Sequence, residues 1–86
     1  MRFQVTQEMI DAGKCYSMEK CAMALALNCQ LPLPPGYRYQ VWDSSVCIVT
    51  KYGRCIQDIN FSKSIQKFIK DFDTNPSSVS PRSFQI

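Results

Sequence analysis

Apolar and polar residues alternate at the start of the chain, run together in its second quarter, alternate again through its middle, and near its end recur every third or fourth position. The uninterrupted run is Cys21-Ala22-Met23-Ala24-Leu25-Ala26-Leu27, in which Ala, Leu and Met favour helix and no polar position offers a solvent-facing stripe. It predicts a helix over Ser17–Cys29, capped by Ser17 and buried on most of its surface. At roughly 1.5 Å per residue this helix is too short for the ~30 Å hydrocarbon of a bilayer, so protein must bury it. Before it, Phe3 and Val5 alternate with Arg2 and Gln4 as a short strand at a sheet end. Thr6 then caps a two-turn helix, with Glu8 in its first turn and Gly13 as a left-handed stop.

After the buried run, Leu31-Pro32-Leu33-Pro34-Pro35-Gly36 reads as a stiff connector, because its three prolines remove donors and hold their neighbours extended. A three-stranded antiparallel meander follows, over about Tyr37–Trp42, Val46–Thr50 and Arg54–Asp58. Tyr37, Tyr39 and Val41 share one face of its first strand, with Arg38, Gln40 and Trp42 on the other. The β-branched Val46–Thr50 run is expected in the centre, buried on both faces. Lys51-Tyr52-Gly53 makes a three-residue hairpin loop with glycine at the positive-φ position. Ile65, Phe68, Ile69 and Phe72 then fall on one stripe of a helix over Ser62–Phe72. Burying those four side chains contributes on the order of 6–12 kcal/mol before entropy is subtracted. Residues 76–86 form an extended C-terminal tail, in which Ser83–Ile86 can add a strand at a sheet edge. The fold class expected is α+β: a single small domain over residues 1–86, with two main helices packed on the meander and short terminal strands.

Length supports one core only, since a chain of 86 residues buries about 60–65% of its unfolded surface. The net charge of +3 is mild, enough to favour a polyanionic partner and far from the density of a dedicated nucleic-acid arm. The N-terminus turns polar at once after Met1-Arg2-Phe3, so no secretory signal is expected and the chain is placed in the cytoplasm. There, five cysteines (Cys15, Cys21, Cys29, Cys47, Cys55) read as free buried thiols. No Cys-x-x-Cys pair seeds a zinc site. A uniform hairpin register sets Cys55 opposite Val49 and Cys47 opposite Gln57, making the two thiols diagonal neighbours and not a bonded pair.

The absence of histidine removes Ser-His-Asp and Cys-His catalysis, and the three isolated glycines form no phosphate-binding loop. No catalytic, metal or cofactor residue is therefore assigned, and the chain is expected to bind rather than catalyse. Two candidate contact surfaces stand out. One is basic: Lys51, Tyr52 and Arg54 at the hairpin with Lys63, Lys67 and Lys70 on the flank of the last helix. The other is Trp42 beside Arg38. The alternatives are a lysine stripe that merely solvates a helix, and a Trp42 covered by Pro32–Pro35 or Phe84.

Four segments together resemble a family of small phage and prophage proteins. They are Val5-Thr6-Gln7-Glu8-Met9-Ile10-Asp11-Ala12-Gly13, Cys21-Ala22-Met23-Ala24-Leu25-Ala26-Leu27, Phe68-Ile69-Lys70-Asp71-Phe72-Asp73 and the ending Pro81-Arg82-Ser83-Phe84-Gln85-Ile86. The family pattern reads V-T-x-x-H-I-x-x-G, C-P-[VI]-A-L-A, F-I-x-x-F-D and P-F-x-F-x-[LI]. This chain departs from it at Met9, where the family often has histidine, and at Ala22, where it often has proline. The resemblance implies a counter-defence protein of the anti-CRISPR kind, a non-enzymatic stoichiometric inhibitor whose partner is a host defence protein or ribonucleoprotein complex. Two other classes stay open: a nucleic-acid-binding accessory protein using the basic surface, and a structural or metal-stabilised small module.

Overall fold

The computed structural model describes residues 2–86 and contains three α-helices and two antiparallel sheets. Strand β1 (Arg2–Val5) leads into helix α1 (Gln7–Ala12), and the buried run becomes α2 (Ala22–Gln30). The meander is β2 (Tyr37–Val41), β3 (Ser45–Thr50) and β4 (Cys55–Asn60), followed by α3 (Lys63–Thr74). The last eleven residues fold back as a 3-10 turn over Pro76–Ser78 and strand β5 (Arg82–Gln85). The α+β class and the order β2-β3-β4 are as the patterns predict.

The terminal strands do not extend the meander. β1 and β5 pair with each other, Phe3 opposite Phe84, as a separate two-stranded sheet. Such a ribbon is marginal alone and needs a packed face. Phe84 supplies it: its ring lies 5.9 Å from Phe3 and edge-on at 5.3 Å from Phe68 of α3. The apolar stripe of α3 is buried as expected at Ile65, Phe68, Ile69 and Phe72.

Helix α2 is the hub, packing on β1, α1 and β2. Ala22, Met23, Ala24, Ala26 and Leu27 are buried, and Leu25 is the half-buried member of the run. Its cap is Cys21, whose sulfur accepts from the Ala24 N–H at 3.4 Å, and not Ser17, which closes a separate turn by accepting from Lys20 N–H. At the other end, the Gln30 side-chain amide exchanges two hydrogen bonds with the backbone of Gln4, extending the small sheet sideways. The Tyr39 hydroxyl donates to the Leu31 carbonyl and ties the proline connector to β2.

Three local expectations change. Gly13 is extended (φ −68°) and is required for space: a Cβ there would lie 2.7 Å from Ala22 N and 2.9 Å from the Phe72 ring. Strand β3 is central without being buried on both faces along its length, because only Val46 and Val49 are fully covered. β4 is exposed at every position except the half-covered Ile59. A register shift between Ile48 and Val49 leaves Ile56 as the extra residue of a bulge, so that Cys55 faces Val49 but Cys47 faces Asp58.

Candidate functional site

The loop between α1 and α2, residues 14–20, is irregular yet heavily tethered. Lys14 N–H donates to the Lys20 carbonyl at 2.9 Å and closes its ends. The Cys15 thiol donates to the Phe72 carbonyl at 3.3 Å, and Tyr16 N–H donates to Asp73 Oδ1 at 2.8 Å. On the other side, Val41 N–H donates to the Met18 carbonyl at 2.8 Å, where β2 would otherwise present a free edge. The end of α3 and the end of β2 therefore fix the loop from two directions.

Tyr16 sits at φ 59°, the one non-glycine residue with positive φ among the described residues. That conformation costs about 1–2 kcal/mol for a residue with a side chain. The charge-assisted bond to the Asp73 carboxylate helps offset it. The result is a tyrosine held outward, 78% exposed, although its backbone is fixed. Beside it stand Met18 and Trp42, 37% and 47% exposed. Trp42 lies just past β2, its N–H donating to the Ser45 carbonyl at 2.8 Å.

These three side chains line a cleft of about 150 Å³ together with Val41, Asp43, Ile69 and Asp73. Val41 and Ile69 are core residues and form an apolar floor. Tyr16, Asp43 and Asp73 also border an adjoining depression that includes Lys67, Lys70 and Asp71. Lys67 is paired with Asp71 at 2.9 Å, whereas Lys70 makes no ion pair among the described residues. An apolar floor, aromatic walls and a rim of both charges suit contact with a protein surface.

The residues singled out from sequence are distributed over four places. Trp42, Lys67 and Lys70 border the cleft and its adjoining depression. Lys51, Tyr52 and Arg54 lie at the hairpin tip, with Lys51 Nζ 5.1 Å from the Tyr52 ring centre. The hairpin and Lys63 are at opposite ends of β4, whose six residues span roughly 20 Å, so hairpin and helix do not form one continuous basic patch. Arg38 is engaged structurally: its Nε lies 3.3 Å from Glu19 Oε1 and its guanidinium donates to the Thr50 carbonyl at 3.0 Å. Tyr16, Met18, Asp43 and Asp73 belong to the cleft and carry no signal in the sequence patterns. The available hint was two large apolar residues inside an otherwise polar loop.

All five cysteines are free, and of these only Cys21 is fully buried. Burial pushes the Cys21 thiol above its usual range, in keeping with a capping role. No group of three or more His, Cys, Asp or Glu that could hold a metal ion occurs among the described residues. None of the helices is long and apolar enough to cross a membrane. Comparison with protein-family models, curated proteins and solved structures matches this chain to none of them.

Proposed function

We propose that this protein acts by stoichiometric binding, through the cleft of Tyr16, Met18 and Trp42, and that its partner is a protein surface. The observation that carries this reading is Tyr16, whose backbone is held in a strained conformation by Asp73 while its ring stands in solvent beside Trp42. An exposed aromatic pair on anchored backbone loses little backbone freedom on association, and tyrosine and tryptophan are frequent centres of binding energy. Three carboxylates, Asp43, Asp71 and Asp73, lie in the cleft and the depression beside it and oppose a phosphate backbone there. They favour a protein partner over direct nucleic-acid binding. The family resemblance of the sequence supplies the partner class: a host defence protein or the protein part of a ribonucleoprotein, inhibited without catalysis.

The test is capture of partners from a host lysate, with and without nuclease, using the parent chain and a Tyr16→Ala/Trp42→Ala double variant. A protein partner retained after nuclease and lost with the double variant supports the reading. A partner that disappears with nuclease transfers the assignment to nucleic acid. Retention by the double variant removes the cleft from consideration.

A further inference from the structure

The cleft of Tyr16, Met18 and Trp42 is acidic within a chain of net charge +3. Its charged lining residues are Asp43 and Asp73, and among the described residues no Lys or Arg lines it. Lys67 and Lys70 border only the adjoining depression, and Lys67 is already paired with Asp71. Asp73 Oδ1 accepts from the Tyr16 N–H at 2.8 Å, which leaves Oδ2 for another donor. Neither Asp43 nor Asp73 makes an ion pair among the described residues.

The aromatic walls are equally unclaimed. Lys51 Nζ lies 5.1 Å from the Tyr52 ring centre and the Arg82 guanidinium 4.7 Å from that of Phe84, but no cation lies over Tyr16 or Trp42 among the described residues. Nor do those two rings stack on each other. An aromatic face attracts a cation through its quadrupole, and the attraction grows where apolar surroundings exclude water. At about 150 Å³ the cleft is smaller than the roughly 300 Å³ or more of a site for a drug-sized ligand, and it suits one long side chain.

We propose that the cleft takes an arginine side chain of the protein partner, its guanidinium against Tyr16 and Trp42 and its N–H groups donating to Asp43 and Asp73. This rests on the binding reading above. Arginine fits better than lysine, because a planar guanidinium stacks on rings, offers its donors in a fixed fork and is less strongly hydrated than an ammonium. Its methylene stem covers Val41 and Ile69 on the floor.

Trp42 is the single tryptophan of the chain, so its fluorescence reads the cleft directly. The probes are the Nα-acetyl amides of arginine, lysine and citrulline, the last having the shape of arginine without its charge, titrated into the full-length chain at constant ionic strength. Arginine amide is expected to give a saturable change in the millimolar range, with citrulline amide roughly tenfold weaker or more and lysine amide severalfold weaker. Asp43→Asn should weaken arginine amide severalfold and leave citrulline amide where it was; the comparison of probes on the parent chain decides the matter even if that variant unfolds. The proposal is overturned if arginine amide gives no saturable change, if citrulline or lysine amide binds as tightly, or if folded Asp43→Asn binds arginine amide like the parent. Equal binding of arginine and citrulline amides, together with partner capture lost in the Tyr16→Ala/Trp42→Ala variant, would keep the cleft as a protein contact and overturn only its choice of arginine.

Discussion

Two exposed turns each present a tyrosine, and they are built in opposite ways. At the hairpin tip, Tyr52 is 85% exposed, and residues 51–54 are held by bonds within the turn, Thr50 N–H to the Arg54 carbonyl, Gly53 N–H to the Thr50 carbonyl, and Tyr52 and Arg54 N–H to Thr50 Oγ1, while the Arg38 guanidinium reaches the Thr50 carbonyl at the strand end beneath the tip. In the 14–20 loop, Tyr16 is 78% exposed, but its own N–H bonds to Asp73 and its neighbours Cys15 and Met18 bond to Phe72 and Val41, far away in the chain. Local bonds leave a tip free to move with its two strands. Long-range bonds hand the loop the rigidity of the helix and strand that anchor it, which is what a preorganised contact surface requires. The difference explains why the binding reading is placed on Tyr16 and not on Tyr52.

The largest effect should come from removing the foundation of the anchored loop. Gly13→Val places side-chain atoms against Ala22 N and the Phe72 ring, where two backbones and a core aromatic leave no route for relief. We expect a loss of about 3 kcal/mol or more, read as a lower denaturant midpoint and loss of the Tyr16 environment. The matching change at the other turn is Gly53→Ala, which meets no atom within 4 Å and is strained only through its φ of +82°. Its cost should be about 1 kcal/mol, without effect on binding.

Next comes binding itself. Tyr16→Ala and Trp42→Ala should each weaken partner affinity by about 2 kcal/mol, roughly thirtyfold, while leaving thermal stability nearly unchanged. Tyr52→Ala should do neither, despite its greater exposure. Titration calorimetry against the captured partner separates these outcomes, and equal losses at both tyrosines would sink the distinction drawn between the two turns.

An intermediate effect is expected at Asp73, which acts on the cleft through the backbone. Asp73→Ala withdraws the acceptor of Tyr16 N–H and should cost roughly 1 kcal/mol of stability. Faster amide exchange should be confined to residues 14–20, with the hairpin amides unchanged. If exchange rises equally in both turns, Asp73 is supporting the whole domain and not the loop.

What was legible in the sequence follows the same division between local and distant interactions. The alternation of Tyr37, Tyr39 and Val41, the Gly53 turn and the Ile65–Phe72 stripe are local periodicities, and each element forms where its pattern lies. The pairing of Phe3 with Phe84 joins opposite ends of the chain, and no local pattern specifies it. The Ile56 bulge shifts Cys47 from Gln57 to Asp58, and a bulge is invisible to strict alternation. Ser17 and Cys21 both precede the helix, and a thiol cap is rarely weighed against a hydroxyl one. The cleft was illegible for the same reason as the terminal sheet. Its walls come from the 14–20 loop, the end of β2 and the end of α3, which sequence spacing does not bring together.

The smallest effects should be found on the lysines of α3, and their pattern tests whether the cleft has an electrostatic rim. Lys63, Lys67 and Lys70 are all exposed, so reversing all three charges should change stability by less than about 1 kcal/mol. The Lys67–Asp71 pair is solvent-exposed and loses little when broken. Lys70 borders the depression beside Tyr16, whereas Lys63 lies at the far end of the helix. Lys70→Glu alone should therefore slow association severalfold at low salt, with the effect shrinking as ionic strength rises, while Lys63→Glu should leave the rate unchanged. A basic stripe acting as one surface would instead give equal effects at the two positions. That outcome would favour a continuous polyanionic contact along α3 over a protein seated in the aromatic cleft.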